Sequence, residues 1–553
     1  MNLMKTIPTL MAGAALLAVA GCNLAPHYRR PESDVPGQFK EAAPGGADKT
    51  VGWKIAEPKD ATLRGNWWEL YQDPQLNALE ERVAISNQTV AAAEANYRAA
   101  HALVAEARAA YFPTVNLAPA VTRSRSSSSS GSSNNTSASG STTSSGGSSG
   151  GNSGKTQTLY SLPLDASYQV DLWGRIRNMA AQSAFSAQAS AADVATALLS
   201  THCLLAQDYF QLRAVDEQRR ILDSTLADFQ ASLHLVDALY RNGLASDEDV
   251  AEADTQLDSA QAQATDLGVI RGQLEHAIAV LIGVTPSHFS LAVLPFDPAL
   301  PVVPVSLPTD LLERRPDIAS AERQVAAANA GVGIARTAYF PSLSLDAVIG
   351  YQSNNGLAQL FNWPNRFWSV GPSMVETLFE GGARRAATAQ AWAAYDEAVA
   401  NYRQAVLTAF QSVEDNLTSL RLLATEEEQQ HQAVVAAQRE VALSTARYKL
   451  GLDSYINVIT AQNTFLTNRE TELQIQLRRI TASLNLINNL GGGWDTSQWS
   501  QTEQIAMHRP AAGKNPAAPT ATTGVPNPPP LPNSAYQPED LLKQDQANMA
   551  SPQ

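Results

Sequence analysis

The sequence predicts an α+β protomer built twice over, in which long antiparallel coiled-coil helices join four β-strands and each half has the same order of parts. Three observations predict it. Residues 107–113 read ARAAYFP and residues 335–341 read ARTAYFP, and the 23-residue stretch Ala91–Pro113 aligns with Ala319–Pro341 without a gap at an offset of 228. A repeat of that separation is architectural. Second, Tyr160, Leu162, Leu164, Ala166, Tyr168, Val170 and Leu172 alternate with mostly polar neighbours, and Leu343, Leu345, Ala347, Ile349 and Tyr351 do the same; period two marks strands with one apolar face. Third, Leu222, Leu226, Phe229, Leu233, Val236 and Tyr240 are spaced alternately four and three apart, as are Val406, Phe410, Val413, Leu417 and Leu420. That is a heptad seam.

The 553 residues carry a formal net charge of −14, which argues against nucleic acid, because phosphate binders gather Lys and Arg into a positive footprint. Residues 1–21 read as a signal peptide. Lys5 supplies a positive start, Ile7–Ala20 an apolar run too short for a comfortable span, and Val19-Ala20-Gly21-Cys22 a small-residue cleavage site before a cysteine. This resembles a bacterial lipoprotein signal, which implies cleavage before Cys22 and acylation there; Asn23, not Asp, favours the outer membrane. The other cysteine is Cys203, so no internal disulfide is expected.

After a lipidated N-terminal segment, 22–75, the first repeat occupies 76–300, with strands at about 114–124 and 158–172 and a helical hairpin at 174–283. Between its strands, 125–154 is almost wholly Ser, Gly, Asn and Thr and reads as a flexible loop. Gly154-Lys155-Thr156 is no phosphate loop, since Ser149 stands where the pattern needs glycine. The second repeat, 301–496, has strands at about 342–352 and 367–379 and a hairpin at 382–490. Gly174 aligns with Gly382, and Tyr240-Arg-Asn-Gly-Leu-Ala-Ser246 with Tyr448-Lys-Leu-Gly-Leu-Asp-Ser454, now at an offset of 208; the 20 residues lost lie in the serine-rich loop. From Gly174 to Tyr240 the residues favour helix, a rod of about 100 Å at 1.5 Å per residue. Residues 497–553 read as a Pro/Ala-rich disordered tail.

After the signal no stretch approaches about 20 uninterrupted apolar residues, so any crossing of a membrane falls to the strands. The strands alone would suit hairpins capping a soluble domain; the lipoprotein signal favours a bilayer. Four strands cannot close a barrel, and lipid does not tolerate open edges, so the chain is expected to oligomerise. Three copies would supply twelve strands and twelve helices.

These parts resemble a known family. Pro26-His-Tyr-Arg-Arg-Pro31, Trp67-Trp68, Asp73-Pro74-Gln-Leu76, Asp171-Leu-Trp-Gly174, Leu307-Pro-Thr-Asp-Leu-Leu-Glu-Arg-Arg-Pro-Asp-Ile318 and Leu490-Gly-Gly-Gly-Trp494, with the two YFP elements, are similar to the TolC-type outer membrane factors in their OprM-like lipoprotein branch. The resemblance implies a homotrimeric channel: a twelve-stranded β-barrel in the outer membrane, an α-helical barrel in the periplasm, and conduction instead of catalysis. Its implied partners are a periplasmic adaptor (membrane fusion protein) and an inner-membrane transporter of the RND type, with small molecules such as drugs as cargo. Alternatives are a type I protein-secretion duct and a lipid-anchored coiled-coil structural protein without a pore.

By the same resemblance the gate lies at the helical turns, with Tyr448, Ile456 and Thr460 matching family positions and Asp453 and Asn457 as nearby polar candidates; Thr460 stands where the branch has a carboxylate, which puts an acidic ring in doubt. Tyr448 and Ile456 suit coiled-coil packing equally. The turns Gly243, Leu244, Ser246 and Gly451, Leu452, Ser454 are candidate adaptor contacts and also what plain capping would write, Gly ending one helix and Ser starting the next. Tyr111, Phe112, Tyr339 and Phe340 are expected at the membrane interface. The eight histidines show no HExxH spacing or Cys/His cluster, so no metal is expected, nor any cofactor beyond lipid on Cys22. His202-Cys203 reads as packing or surface.

Overall fold

The computed structural model describes residues 23–33, 35–36, 38–41, 53–55, 66–125, 156–296, 300–301, 303–305 and 314–492, all within the unit Met1–Thr502. Cys22, the loop expected at 125–154 apart from Arg125, most of the Leu307–Ile318 motif, Trp494 and the tail 497–553 lie outside the described residues.

Seven helices carry the described fold. α1 (Pro74–Ser86) and α2 (Gln88–Ala109) are capped by Asp73 and Asn87, whose side chains each accept two backbone N–H bonds. α3 (Arg175–Arg241) and α6 (Ala383–Lys449) are both 67 residues long, while α4 (Asp247–Leu281) and α7 (Tyr455–Asn489) are both 35; α5 (Pro316–Thr337) matches α2 at 22. α3 packs on α2, α4, α5 and α7, and α6 on α5 and α7. The seam residues Leu222, Phe229, Val236, Val406, Val413, Leu417 and Leu420 are buried, whereas Tyr240 is exposed. By length and composition α3 is apolar enough to cross a bilayer, although polar and charged residues such as Asp193 and His202 interrupt its apolar runs. Alanine serves close packing here, since Ala180, Ala187, Ala189 and Ala192 are buried against neighbours.

The repeat extends to contacts. At the end of α4, Gly283 (φ 67°) presses on Ser86, where a Cβ would come within 2.2 Å of the Ser86 carbonyl oxygen. At the end of α7, Gly491 (φ 93°) presses on Arg314 in the same way, at 2.0 Å. Gly283 and Gly491 differ by the 208 offset, Ser86 and Arg314 by the 228 offset.

The main core sits midway along the helices. Tyr209, Leu205, Leu212, Tyr402 and Leu417 are fully buried there, covered by the 3-10 turn Trp67–Tyr71. The N-terminal segment runs down to this level. Asn23 Oδ1 accepts from Asn178 near the start of α3, Asn329 donates to the Pro26 carbonyl, Arg30 donates to the Tyr402 hydroxyl at 3.0 Å, and Phe39 packs edge-on against Phe410. Beside it, β1 (Trp53–Ile55) pairs in parallel with β5 (Val303–Val305).

A second, antiparallel sheet holds β2 (Thr114–Leu117), β3 (Ala120–Arg125), β4 (Thr156–Val170), β6 (Ser342–Ser353) and β7 (Arg366–Val375). Its order is β2/β3–β4–β6–β7, so each half contributes a hairpin and the hairpins meet at β4–β6. Two strand bounds differ from expectation. The strand at 114–124, which the sequence already shows interrupted by a proline, is split at Ala118-Pro119, while Pro163 and Pro372 are carried inside β4 and β7; the strand read to Phe379 stops at Val375.

Candidate functional site

One face of the antiparallel sheet carries Val115, Leu117, Val121, Leu164, Leu345, Ile349, Trp368, Val370 and Met374, brought to the same side by the registers Leu117↔Leu164, Leu164↔Ile349, Ile349↔Trp368 and Leu343↔Met374. All nine are exposed, with Trp368 at 72%. The other face is more polar, although Leu159, Val348, Phe367 and Val375 lie on it, and there Ser167 donates to Asp346 at 2.7 Å. Apolar surface of that extent on a five-segment sheet needs a covering that is not water, and a hydrocarbon layer supplies it.

Each strand hairpin meets its helices at a YFP element. Tyr111, Phe112, Tyr339 and Phe340 stand at this junction and are all exposed. Trp173 stacks on Phe340 with ring centres 4.8 Å apart and donates its indole N–H to the Pro341 carbonyl at 2.8 Å, while the Arg384 guanidinium lies over Tyr339. Asp171 caps α3 by accepting from the backbone N–H groups of Ile176 and Arg177. Periodicity could not assign these roles to Trp173 and Asp171; the Asp-Leu-Trp-Gly motif marked only their place.

At the far ends of the helices both turns close alike. Gly243 (φ 72°) and Gly451 (φ 70°) occupy the left-handed region. Leu244 N–H donates to the Leu239 carbonyl and Leu452 N–H to the Arg447 carbonyl, the six-to-one closure of a helix ended by glycine. Leu244 and Leu452 project into solvent, 75% and 66% exposed. The two serines differ. Ser246 forms a reciprocal capping box with Asp249, but the Ser454 side chain makes no capping bond, and Asp453 stands in, accepting from Ser454 N–H and from the Asn457 amide. The bond from Asn457, with help from Ser454 N–H and Arg447, holds the Asp453 carboxyl below its usual range.

Ile456, Asn457 and Thr460 fall on one exposed stripe of α7, with half-buried Asp453 just ahead of it. The Thr460 hydroxyl donates to the Ile456 carbonyl at 2.8 Å, and Thr460 itself brings no carboxylate to that level. Tyr448 stands apart. It packs inward on Tyr455, rings 5.2 Å apart, within the cluster of Val236, Ala253 and Val458. Burial, then Asp249, pushes its phenol up.

A further polar group lies in the core. Glu80 and His202 are buried, with Oε2 and Nδ1 2.6 Å apart, and His202 stacks on Trp68. Burial pushes Glu80 up to about 9 and His202 down to about 4. The spacing would admit an ion pair, but burial moves both groups the other way. Both directions favour a neutral pair, in which Glu80 keeps its carboxyl proton and shares it with Nδ1 of a neutral His202. Nothing in the spacing of Glu80 and His202 signals that they meet. Among the described residues no cluster of His, Cys, Asp and Glu could hold a metal.

An apolar-faced sheet with two open edges, set on helical hairpins about 100 Å long, defines a protomer of an outer-membrane channel. The outer membrane efflux protein family matches residues 79–284 and 307–492, and the chain belongs to that family. It is 32% identical over 444 residues to the pyoverdine export outer membrane protein OpmQ of Pseudomonas aeruginosa, covering 79% of this chain and 90% of that one. With the solvent efflux pump outer membrane protein SrpC of Pseudomonas putida it shares 31% over 493 residues, 88% of this chain and 98% of the other. Among solved structures it resembles the outer-membrane channel OprN, with a TM-score of 0.74 and 27% identity across 86% of this chain and all of that one.

Proposed function

We propose that the protein is the outer-membrane exit duct of a tripartite efflux system, a homotrimer that passively conducts small molecules delivered by an inner-membrane pump through a periplasmic adaptor. The observation that carries this is the sheet: an exposed apolar face and two unpaired edges on strands of about membrane-spanning length. Three copies close twelve strands and leave no edge, and the helices continue the tube into the periplasm. Names of relatives such as OpmQ and SrpC support the efflux reading. The work of transport belongs to the pump, and this chain supplies a path and a gate.

Cys22 carries the lipid. The bond from Asn178, near the start of α3, to Asn23, the residue after Cys22, supports an anchor on the membrane side of the helices. The gate lies at the tips, where Ile456, Asn457 and Thr460 line the constriction and Asp453, paired with Arg447 at 3.2 Å, secures the turn. Tyr448 holds that turn from inside. Leu244 and Leu452, presented by the two glycine-closed turns with Ser246 and Ser454, contact the adaptor. Incorporation of purified protein into planar bilayers is expected to give discrete conductance steps; their absence at protein levels where trimers are verified refutes the channel.

A further inference from the structure

The internal repeat holds in the strand ladders to the residue. In the first hairpin, partners across β2–β4 and β3–β4 have numbers that add to 281, from Thr114↔Ser167 to Arg125↔Thr156. In the second, across β6–β7, they add to 717, from Ser342↔Val375 to Tyr351↔Arg366. The difference, 436, is the two sequence offsets, 228 and 208, taken together. β2/β3 therefore corresponds to β6, and β4 to β7, with no slip in register.

Between the halves, β4 pairs antiparallel with β6, and partner numbers add to 513, from Tyr160↔Ser353 to Val170↔Leu343. The counterpart of that junction is β7 against β2/β3, which one chain cannot make, because these are its two outer edges. Shifting the β4–β6 ladder up 208 on one strand and down 228 on the other turns 513 into 493.

We infer that β7 of one copy pairs antiparallel with β3 and β2 of the next copy in the register whose partner numbers add to 493, and that β7 lengthens to Leu378 in doing so. Gly371 then faces the partner's Thr122, Pro372 the partner's Val121, and Leu378 the partner's Val115. This rests on the trimer proposed above and names how its copies join.

Two observations independent of the arithmetic agree with it. An odd sum pairs even-numbered residues of β7 with odd-numbered residues of β2/β3. The apolar face holds Trp368, Val370 and Met374 on the one and Val115, Leu117 and Val121 on the other, so the ladder keeps apolar side chains on one side, which a slip of one residue would reverse. Then, Leu378 corresponds to Val170, a paired strand residue, yet in the single chain it lies beyond the end of β7 and is 90% exposed. A partner strand supplies what it lacks.

Paired cysteines test the register. Directly opposed antiparallel residues have Cα atoms about 4.5–5.5 Å apart, within disulfide reach, while a slip of two residues adds about 6.8 Å along the strand and takes the pair past the 7 Å limit. Gly371 suits substitution, as a Cβ there meets open space. Cys203 will not compete: it is buried, and burial pushes its thiol up to about 12. Thr122→Cys with Gly371→Cys, oxidised with copper–phenanthroline in detergent, is expected to give at least tenfold more covalent trimer than Thr122→Cys with Ser369→Cys or with Ser373→Cys; Val121→Cys with Pro372→Cys repeats the test on the apolar face. Single-cysteine variants checked by light scattering establish that each still assembles. Stronger coupling in a slipped pair overturns the register and leaves the trimer standing, and so does an absence of coupling in protein that scatters as a trimer. Scattering as a monomer removes the trimer, and the ladder with it.

Discussion

Replacing Glu80 with glutamine removes a titration from the core while keeping a donor for His202. In the unfolded chain Glu80 ionises near its ordinary 4.5, whereas in the fold burial raises it to about 9. A raised pKa means stability that is complete below the unfolded value and lost as pH climbs toward the folded one. At pH 7 the native chain keeps a proton that the unfolded chain releases, 2.5 units above its pKa, at about 1.36 kcal/mol per unit, or about 3 kcal/mol. Glutamine never ionises. Glu80→Gln should therefore stabilise the protein by about 3 kcal/mol at pH 7, by about 2 at pH 6 and not at all near pH 4.5. His202 runs oppositely: its depressed pKa, about 4, makes stability fall as pH drops below 6.5. In the unmutated protein the two slopes cancel between about 4.5 and 6.5, leaving a plateau that declines above it; in the variant only the acid-side fall remains. Urea unfolding in detergent, followed by tryptophan fluorescence, reads this directly, because Trp68 stacks on His202 with centroids 4.5 Å apart. A variant less stable at pH 7, or a difference that does not shrink toward pH 4.5, would refute the neutral pair and assign an anionic Glu80 bonded to a charged His202.

Gly243→Ala and Gly283→Ala share a positive φ, 72° and 67°, but only the second drives a Cβ onto backbone, the Ser86 carbonyl oxygen. The first should lower stability by about 1 kcal/mol, and the second by more than about 3 kcal/mol, measured by urea midpoints; equal effects would contradict the packing described. Cys22→Ser should abolish acylation, so the intact mass of the unmutated protein should exceed its polypeptide mass and that of the variant should not. Shortening the serine-rich 125–154 stretch by 20 residues should leave trimer recovery unchanged on size exclusion, since doubling a loop costs only about 0.6 kcal/mol of closure entropy. Asp453→Ala, which releases Arg447 and Asn457 at the turn, should lengthen open times in bilayer recordings; unchanged gating would discount the cluster.

The long-range plan was legible because it is written as periodicity and repetition. The heptads at Leu222–Val236 and Val406–Leu420 marked helices that bury those residues, and two offsets placed matching parts in each half. Strand ends were less legible: apolar residues continue to Phe379, yet pairing stops at Val375 in the single chain, and of the two prolines that interrupt the weaker strands only Pro119 breaks one. Ladder ends depend on the neighbour across the edge, which one chain's pattern does not encode. At the tip, glycine spacing located both turns, but that Asp453 replaces the Ser454 cap and that Tyr448 turns inward came from the packing of α6 on α7. The Glu80–His202 pair joins residues 122 positions apart and has no period to betray it.

Matched lengths in the two halves, 67 and 67, 35 and 35, make the helices a ruler. A single inserted residue would drop its end of the tube by about 1.5 Å and turn every side chain beyond it by about 100°, scrambling seam, glycine contact and tip together. Insertions and deletions are thereby shut out of the helical stretches and confined to places where length is not read, and that is where the halves differ: the 20 additional residues of the first repeat lie between its strands. The reach of the helices is thus fixed by residue count, while a connection between strands can change length at little cost.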